Sequence, residues 1–259
     1  MKKNQQKIIT LTTDFGNDDN YVSCMKGVIL SINPYVNIVD NTHNLDSFDV
    51  EKAAFNIFNM YGYYPAGTIH VAVVDPGVGS RRRSIIVSAD EYYFVGPDNG
   101  IFGYIIEKCR HVIIYSATND DYYLPQPSST FHGRDIFAPV ASHLSLGITP
   151  DKFGRRISNY KKLNFIKPSV KNNKMTGKII YRDKFGNLVT NIESHHAGKI
   201  LNIKIDNIVI PRLSKTYSDV KKGEFLALIG SSGFLEISIN RGSAADVVNS
   251  NTDITCFFK

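Results

Sequence analysis

A carboxylate, a run of guanidinium groups and an imidazole hold the most constrained chemical settings in this 259-residue chain. Thr68, Ile69 and Val71 to Val74 form an apolar run that drives into Asp75. Pro76-Gly77-Val78-Gly79-Ser80 follows, and then Arg81, Arg82 and Arg83. A buried strand that ends on a carboxylate, beside a tight glycine loop and fixed positive charge, is how α/β proteins present chemistry. His132 stands between Phe131 and Gly133, and the glycine lets backbone approach a ligand closely. From the residues alone this is a generic active-site-like loop, to which an arginine and the distant His132 could add a fixed cation and a titratable imidazole. Composition leaves the three arginines interchangeable, with two of them expected at the surface. A lone histidine also reads as a structural residue. The glycine loop lacks the Walker lysine and the GxGxxG spacing of a phosphate cradle. No GxSxG nucleophile elbow accompanies the histidines.

Other segments offer binding groups. Asp14 ends the first strand before the Gly16 turn, where a carboxylate can accept two hydrogen bonds from a ribose diol. It serves equally as a turn or helix-capping residue. Asp18 and Asp19 stand close enough to help, or simply to be solvated. Asp183-x-Phe185-Gly186-Asn187 puts a carboxylate, an aromatic face and an amide on one turn. An Asn side chain can pair with an adenine edge and a Phe can stack on the base, although a hairpin turn needs neither. Ser231-Ser232-Gly233 and Gly242-Ser243-Ala244-Ala245 are small-residue turns where backbone groups could meet a ligand. Cys24, Cys109 and Cys256 are far apart, with no CxxC or Cys/His cluster. Neither a metal site nor a disulfide framework is expected.

The elements that position these groups follow from periodicity. Strand, helix, strand, helix, strand runs from Lys7 to Val74, which implies parallel pairing with right-handed crossovers. Residues 1–166 therefore read as an α/β domain with a mostly parallel sheet. From 167 to 259 short β-type runs dominate and no long helix appears, so this part reads as a small all-β, barrel-like domain. Apolar content of 42%, charged content of 21% and the absence of a long apolar run fit a soluble globular protein. The N-terminus has no signal-peptide pattern, which makes the cytoplasm the expected location and a membrane partner unexpected. The net charge of +6 is concentrated at residues 155–174, with seven Lys/Arg and no acid. That segment reads as a solvated linker. A nucleic-acid partner is not expected, because stacking aromatics are sparse there and no recognition motif is present.

From about Ile8 to Val248 the chain resembles the S-adenosylmethionine (SAM) hydroxide adenosyltransferases, also called SAM hydrolases, which are relatives of the fluorinase and chlorinase enzymes. The resemblance rests on seven motifs in one order: TTDFG at 12–16, MKGVI at 25–29, GTIHVAVVDPGVGS at 67–80, GPDNG at 96–100, TFHGRD at 130–135, DKFGNLVTNI at 183–192, and SSGFLEISIN with GSAA at 231–245. It implies a catalytic Asp-Arg-His triad at Asp75, Arg82 and His132. The halogenase branch carries Tyr in place of Asp75 and Ser in place of Gly133, so the residues here match the hydrolase branch. The resemblance further implies a homotrimer with SAM, as substrate and not cofactor, between subunits. Asp14 would hold the ribose, with Asp19 and Phe131 in the substrate-binding set. Asn187 and backbone near Ala244 would read adenine beside Phe185. Asp183 and Ser231 would hold the methionine portion. Ser232 stands where the halogenases have an Arg, and Glu236 is a further ligand contact. The implied reaction is attack of water or hydroxide at ribose C5′. A SAM or adenosine sensor with little turnover, and a halide-using adenosyltransferase, are the alternatives.

Overall fold

The first three strands, β1 (Ile8–Thr13), β2 (Asn37–Thr42) and β3 (Ile69–Val73), are joined by α1 (Tyr21–Ile32) and α2 (Val50–Met60) in a computed structural model that describes residues 6–249 and 251–258. β1 lies between β2 and β3 and is parallel to both. The helical stretches follow their sequence signals. Asn33 closes α1 just before Pro34, its N–H donating to Ile29 O. Asp49 caps α2 by accepting from Lys52 N at 2.8 Å.

β4 (Ser84–Ala89) and β5 (Tyr92–Pro97) follow, then α3 (Gly103–Lys108), β6 (Val112–Ser116), α4 (Ala138–Ser145) and β7 (Arg156–Ile157). The sheet order is β2-β1-β3-β5-β4-β6-β7. This sheet is mixed rather than mostly parallel: three pairings are parallel and three antiparallel. The physical reason lies at Asp90 and Glu91, which are too few residues for a crossover. Asp90 adopts a left-handed φ of 49°, and the chain reverses there into a β4–β5 hairpin. β7 lies in the basic segment and pairs with β6, so the segment's start is an edge strand.

Alternation along β3 divides the core. Ile69, Val71 and Val73 pack with α1 and α4 residues such as Met25, Ile29, Val140 and Leu144. Ala72 and Val74 pack with Ala53 and Ile57 of α2, Ile105 of α3 and Phe102 just before it. Helices thus cover both faces of the sheet, and the carboxyl ends of β1 and β3 lie where the chain order reverses. Ligand crevices of open α/β sheets form at such switch points.

A second compact unit begins at Asn164. Its strands are β8 (Ser169–Lys171), β9 (Lys174–Arg182), β10 (Leu188–Glu193), β11 (Ile200–Ile205), β12 (Ile208–Ile210), β13 (Phe225–Ile229), β14 (Phe234–Ile239) and β15 (Asp253–Phe258). The order is β12-β11-β15-β9-β10-β14-β13, with β8 on β9, and every pairing is antiparallel. β9 pairs with β15 up to Lys178 and with β10 from Ile179 onward. Leu213 bridges Ala227 of β13, which nearly closes the path into a barrel. The interior is Met175, Ile192, Ile203, Leu235, Ile237 and their neighbours. Among the described residues no helix is long and apolar enough to cross a membrane.

Candidate active site

Asp75 stands two residues beyond the end of β3, and Arg82 bends back to it across the glycine loop. The guanidinium donates from Nε to both carboxylate oxygens, at 3.0 and 2.9 Å, and from Nη2 to Oδ2. Both side chains are nearly enclosed, Asp75 at 5% and Arg82 at 9% exposed. Arg82 also donates from Nη1 to Ser84 Oγ at 3.2 Å, and its Cζ lies 5.2 Å from the Phe137 ring centre. The loop is tight for a reason: Gly79 has φ +75°, and a Cβ there would stand 2.4 Å from Ser129 O. That approach seats the Asp75–Arg82 loop on the segment that carries His132.

His132 meets the same guanidinium. Arg82 Nη2 and His132 Nδ1 are 2.6 Å apart. Arginine only donates, so Nδ1 is the acceptor and the imidazole proton sits on Nε2. Burial, and then the adjacent Arg82 charge, hold the His132 pKa below its ordinary 6.5. The His132 backbone is fixed from below. Asp135 is buried and accepts from its neighbour Arg134 at 2.6 and 3.1 Å and from Ser128 N at 2.8 Å. Phe131 N donates to Ser128 Oγ, and Arg134 covers the Phe131 ring at 4.9 Å. A π-helical turn, Gly133–Phe137, then leads into α4.

Asp14 opens onto the same space from the end of β1. Its Oδ2 accepts from Phe48 N at 2.9 Å. Phe48 takes a left-handed φ of 68° and presents an exposed ring. Thr13 Oγ1 accepts from Phe15 N and contacts His43 Nδ1 at 2.9 Å, while Gly16 N donates to His43 O, so the TTDFG turn is strapped to the segment after β2. A cavity of about 350 Å³ is lined by Asp14, Phe48, Asp75, Phe131 and His132, with Phe15 and Tyr21 beside them. Phe15, Tyr21 and Phe131 meet pairwise at 5.1 to 5.8 Å between ring centres. Asp19 is exposed and is not among the lining residues. Sequence reasoning passed over Phe15, Tyr21 and Phe48; the signal available was the aromatic in TTDFG itself.

In the second unit the turn that carries Asp183, Phe185 and Asn187 packs against the turn that carries Ala244. Asp183 Oδ1 accepts from Phe185 N and Asn187 N, and Oδ2 accepts from Asn187 Nδ2, all within 2.9 Å. Asn187 therefore spends one amide N–H on its own turn and keeps its other N–H and its carbonyl. Phe185 is 66% exposed. Gly186, at φ +82°, presses on Ser243, and Ala245 N donates to Gly186 O at 3.0 Å. That contact brings Asn187 beside the Ala244 backbone. Ser231 is exposed and Ser232 half-buried on the turn closed by Gly230 N to Phe234 O. Glu236 is buried on β14. Among the described residues no group of three His, Cys, Asp or Glu side chains is placed to hold a metal ion.

This arrangement can orient an oxygen nucleophile between a carboxylate, a guanidinium and a neutral imidazole, at the wall of a cavity with room for a nucleoside-sized ligand. Family models match both units. Residues 9–154 match the SAM hydroxide adenosyltransferase N-terminal domain, and residues 177–255 match its C-terminal domain. The chain is 36% identical to an (R)-S-adenosyl-L-methionine hydrolase of Methanocaldococcus jannaschii, over 93% of this chain and 92% of the relative. It is 27% identical to a fluorinase of an Actinoplanes species, over 98% of each. A solved structure of an uncharacterized conserved protein from Thermotoga maritima superposes with a TM-score of 0.89 at 35% identity, over 96% of this chain and 99% of that one.

Proposed function

We propose that this chain, which belongs to the SAM hydroxide adenosyltransferase family, hydrolyses S-adenosyl-L-methionine to adenosine and L-methionine. The observation that carries the reading is the convergence of Asp75, Arg82 and His132 on one guanidinium-centred cluster at the cavity wall. Similarity to relatives named as (R)-S-adenosyl-L-methionine hydrolases supports the substrate.

In the proposed reaction, water attacks ribose C5′ in line with the sulfonium. The C5′–S bond breaks, its electron pair stays on the methionine sulfur, and the water oxygen becomes the 5′-hydroxyl after losing a proton. Arg82 stabilises the developing hydroxide, and positioning supplies much of the rate. The hydrogen bond from Arg82 to His132 Nδ1 leaves Nε2 carrying the imidazole proton. His132 is then a donor toward the cavity, and Asp75 takes the water proton. Asp75 Oδ1 accepts one arginine bond and keeps an acceptor position for that role. Gly133 fits water chemistry. A Cβ there would stand 3.2 Å from Met25 Sδ and 3.4 to 3.5 Å from the Phe131 and Phe15 rings, so a serine would push on the aromatic wall.

Within the same proposal, Asp14 of one subunit holds the ribose and Phe131 lines the nucleoside, while Asn187, Phe185 and the Ala244 backbone of the next subunit receive adenine. Asp183 and Ser231 hold the methionine end. SAM is a substrate, a homotrimer is the working form, and the cytoplasm is the setting. Incubation with SAM in ¹⁸O-labelled water tests the chemistry. The label is expected in the adenosine 5′-hydroxyl. Unlabelled adenosine, or no adenosine at all, overturns the reading.

A further inference from the structure

Thr13 of TTDFG and Lys26 of MKGVI stand outside the cavity lining, yet one polar chain joins them. Lys26 Nζ donates to Asp40 Oδ2 at 2.6 Å. The other oxygen of Asp40 stands 3.0 Å from His43 Nε2. His43 Nδ1 is 2.9 Å from Thr13 Oγ1, which accepts from Phe15 N at 3.2 Å. The chain runs from water inward. The Lys26 and Asp40 side chains are 34% and 42% exposed, whereas His43 is 4% exposed and Thr13 1%.

From Phe15 to Asp40 the donors point one way. Burial works against the Asp40 charge, but the Lys26 and His43 contacts outweigh it and hold the carboxyl below its ordinary range. A carboxylate facing Nε2 draws the imidazole proton to that nitrogen, and Nδ1 is left as an acceptor. Thr13 then donates to Nδ1 and keeps its lone pairs for Phe15 N. The His43 backbone grips the same turn, since Gly16 N donates to His43 O at 2.8 Å. Asp14 therefore lies between a residue held by the His43 ring, Thr13, and one held by the His43 carbonyl, Gly16. Five residues beyond His43, Phe48 N donates to Asp14 Oδ2 at 2.9 Å and sets the orientation of the carboxylate.

We infer that His43 is a positioning residue for the nucleoside: its ring, acting through Thr13, and its carbonyl hold the Asp14 turn in the orientation that receives the ribose diol. The inference rests on the reading of Asp14 as the ribose-binding residue of a SAM-cleaving enzyme. His43 is enclosed and is absent from the cavity lining, so its effect passes through the turn. A carboxylate that accepts two hydroxyls tolerates little rotation, and such groups are held in place by the hydrogen bonds behind them.

The test compares adenosine with 2′,3′-dideoxyadenosine, which differ only in the diol. Titration calorimetry on the wild-type chain, His43→Leu, Thr13→Val, the double variant and His43→Asn reads what the chain of contacts does for the diol alone. The wild-type chain is expected to prefer adenosine. His43→Leu is expected to weaken adenosine by about 3- to 10-fold, the scale of one hydrogen bond, and the dideoxynucleoside by less than about 2-fold. Thr13→Val breaks the same link and is expected to act alike, with the double variant no worse than the larger single loss. His43→Asn offers an amide where Nδ1 stands and is expected to bring adenosine back to within about 2-fold of the wild-type affinity. Equal losses for both nucleosides, additive losses in the double variant, no recovery in His43→Asn, or unchanged adenosine affinity with only a lowered Tm overturn the inference. A wild-type chain that prefers the diol but does not release adenosine from SAM ends the hydrolase reading and leaves the His43 result to stand on the affinities. A wild-type chain that cleaves SAM yet shows no preference for the diol keeps the hydrolase reading and overturns the inference.

Discussion

Two arginine–aspartate forks lie one residue apart on the segment that enters β4. Arg82 reaches Asp75, a side chain 5% exposed, and Arg83 reaches Asp98, a side chain 4% exposed. In each fork Nε and Nη2 of the guanidinium contact the carboxylate. Their surroundings then diverge. Arg82 adds His132, and its two partners Asp75 and His132 line the cavity. Arg83 adds Asn159, through the side chain and the backbone carbonyl, while Asp98 accepts from Lys161 N at 2.7 Å. The second fork thereby ties the GPDNG turn to the start of the basic segment. Asn99, the next residue of that turn, donates to Val74 O at 2.8 Å, just before Asp75. One fork stands at the cavity wall and the other braces the loop behind it. The pair chemistry does not separate the two forks; the third partner does, with Arg82 turned to Ser84 and His132 and Arg83 turned to Asn159.

The sharpest way to break this contrast is to remove Arg82. Arg82→Ala strips the hydroxide-stabilising cation and is expected to lower kcat for adenosine release by about 10²–10³-fold. It also leaves the Asp75 carboxylate enclosed without its cation, a loss of about 3–5 kcal/mol in denaturant unfolding. Arg82→Lys keeps charge but not the fork, so turnover is expected to stay low while part of the stability returns. Wild-type turnover in Arg82→Ala, at a temperature where the variant is folded, would remove Arg82 from the site.

Arg83→Ala is expected to reverse the pattern. Asp98 keeps the Lys161 N–H as its donor, and unfolding free energy should fall by about 2–3 kcal/mol, somewhat less than for Arg82 because Arg83 is 34% exposed. Adenosine release per folded molecule should stay within about 2-fold. A large loss of kcat with unchanged stability would mean that the two forks are not separate in function.

pH sharpens the comparison through a second pair, His132 and His70. His70 is buried on β3 at 5.0 Å from the Phe94 ring, among Tyr61, Tyr64 and Tyr92, with Nδ1 on Thr10 Oγ1. Burial pushes its pKa down to about 3. Both histidines are lowered in the fold, so each binds a proton more readily in the unfolded chain. Their contribution to stability is full above about pH 6.5 and declines as pH falls, until the folded pKa is passed. For His70 that decline continues to about pH 3. Imidazole NMR signals should show His70 neutral through the acid range where His132 begins to protonate. The acid limb of kcat/KM should lie below pH 6.5, because protonated His132 can no longer accept from Arg82. In Arg82→Ala the His132 imidazole signal should titrate at higher pH than in the wild-type chain, since the repelling charge is gone. A His132 titration that stays fixed in this variant would detach His132 from the guanidinium.

How much of this was legible before the structure varies residue by residue. Asp75 was legible because an apolar run of strand length delivers it, and His132 because a glycine follows it. The choice among Arg81, Arg82 and Arg83 was not available from composition. It depends on which side chain reaches Asp75, Ser84 and His132. The β4–β5 pair was readable as two strands, but its direction depended on one left-handed Asp90. GPDNG read as a turn, while its bond to Arg83, fifteen positions earlier, is a tertiary fact. His43 read only as a histidine beside a strand, because its link to Thr13, thirty positions earlier, is made between neighbouring strand ends. The barrel class followed from short runs and turn residues, yet its near-closure at Leu213 and Ala227 depends on one bridge outside the regular strands.

The smallest effect expected completes the run of three. Arg81 has the same guanidinium as its neighbours but is exposed on the turn after Ser80. Charge alone would make it a second contributor to hydroxide stabilisation, because it lies one residue from Arg82. Screening argues against that: an exposed charge in water acts weakly beyond about 8–10 Å at ordinary ionic strength, whereas Arg82 acts by direct hydrogen bonds in an enclosed setting. Arg81→Ala should therefore change unfolding free energy by no more than about 0.5 kcal/mol and leave kcat within a factor of about two. Repeating the kcat measurement at low and high salt reads any residual through-space effect. A loss in Arg81→Ala that grows at low salt would show that net positive charge, rather than the geometry of one arginine, does part of the work now assigned to Arg82.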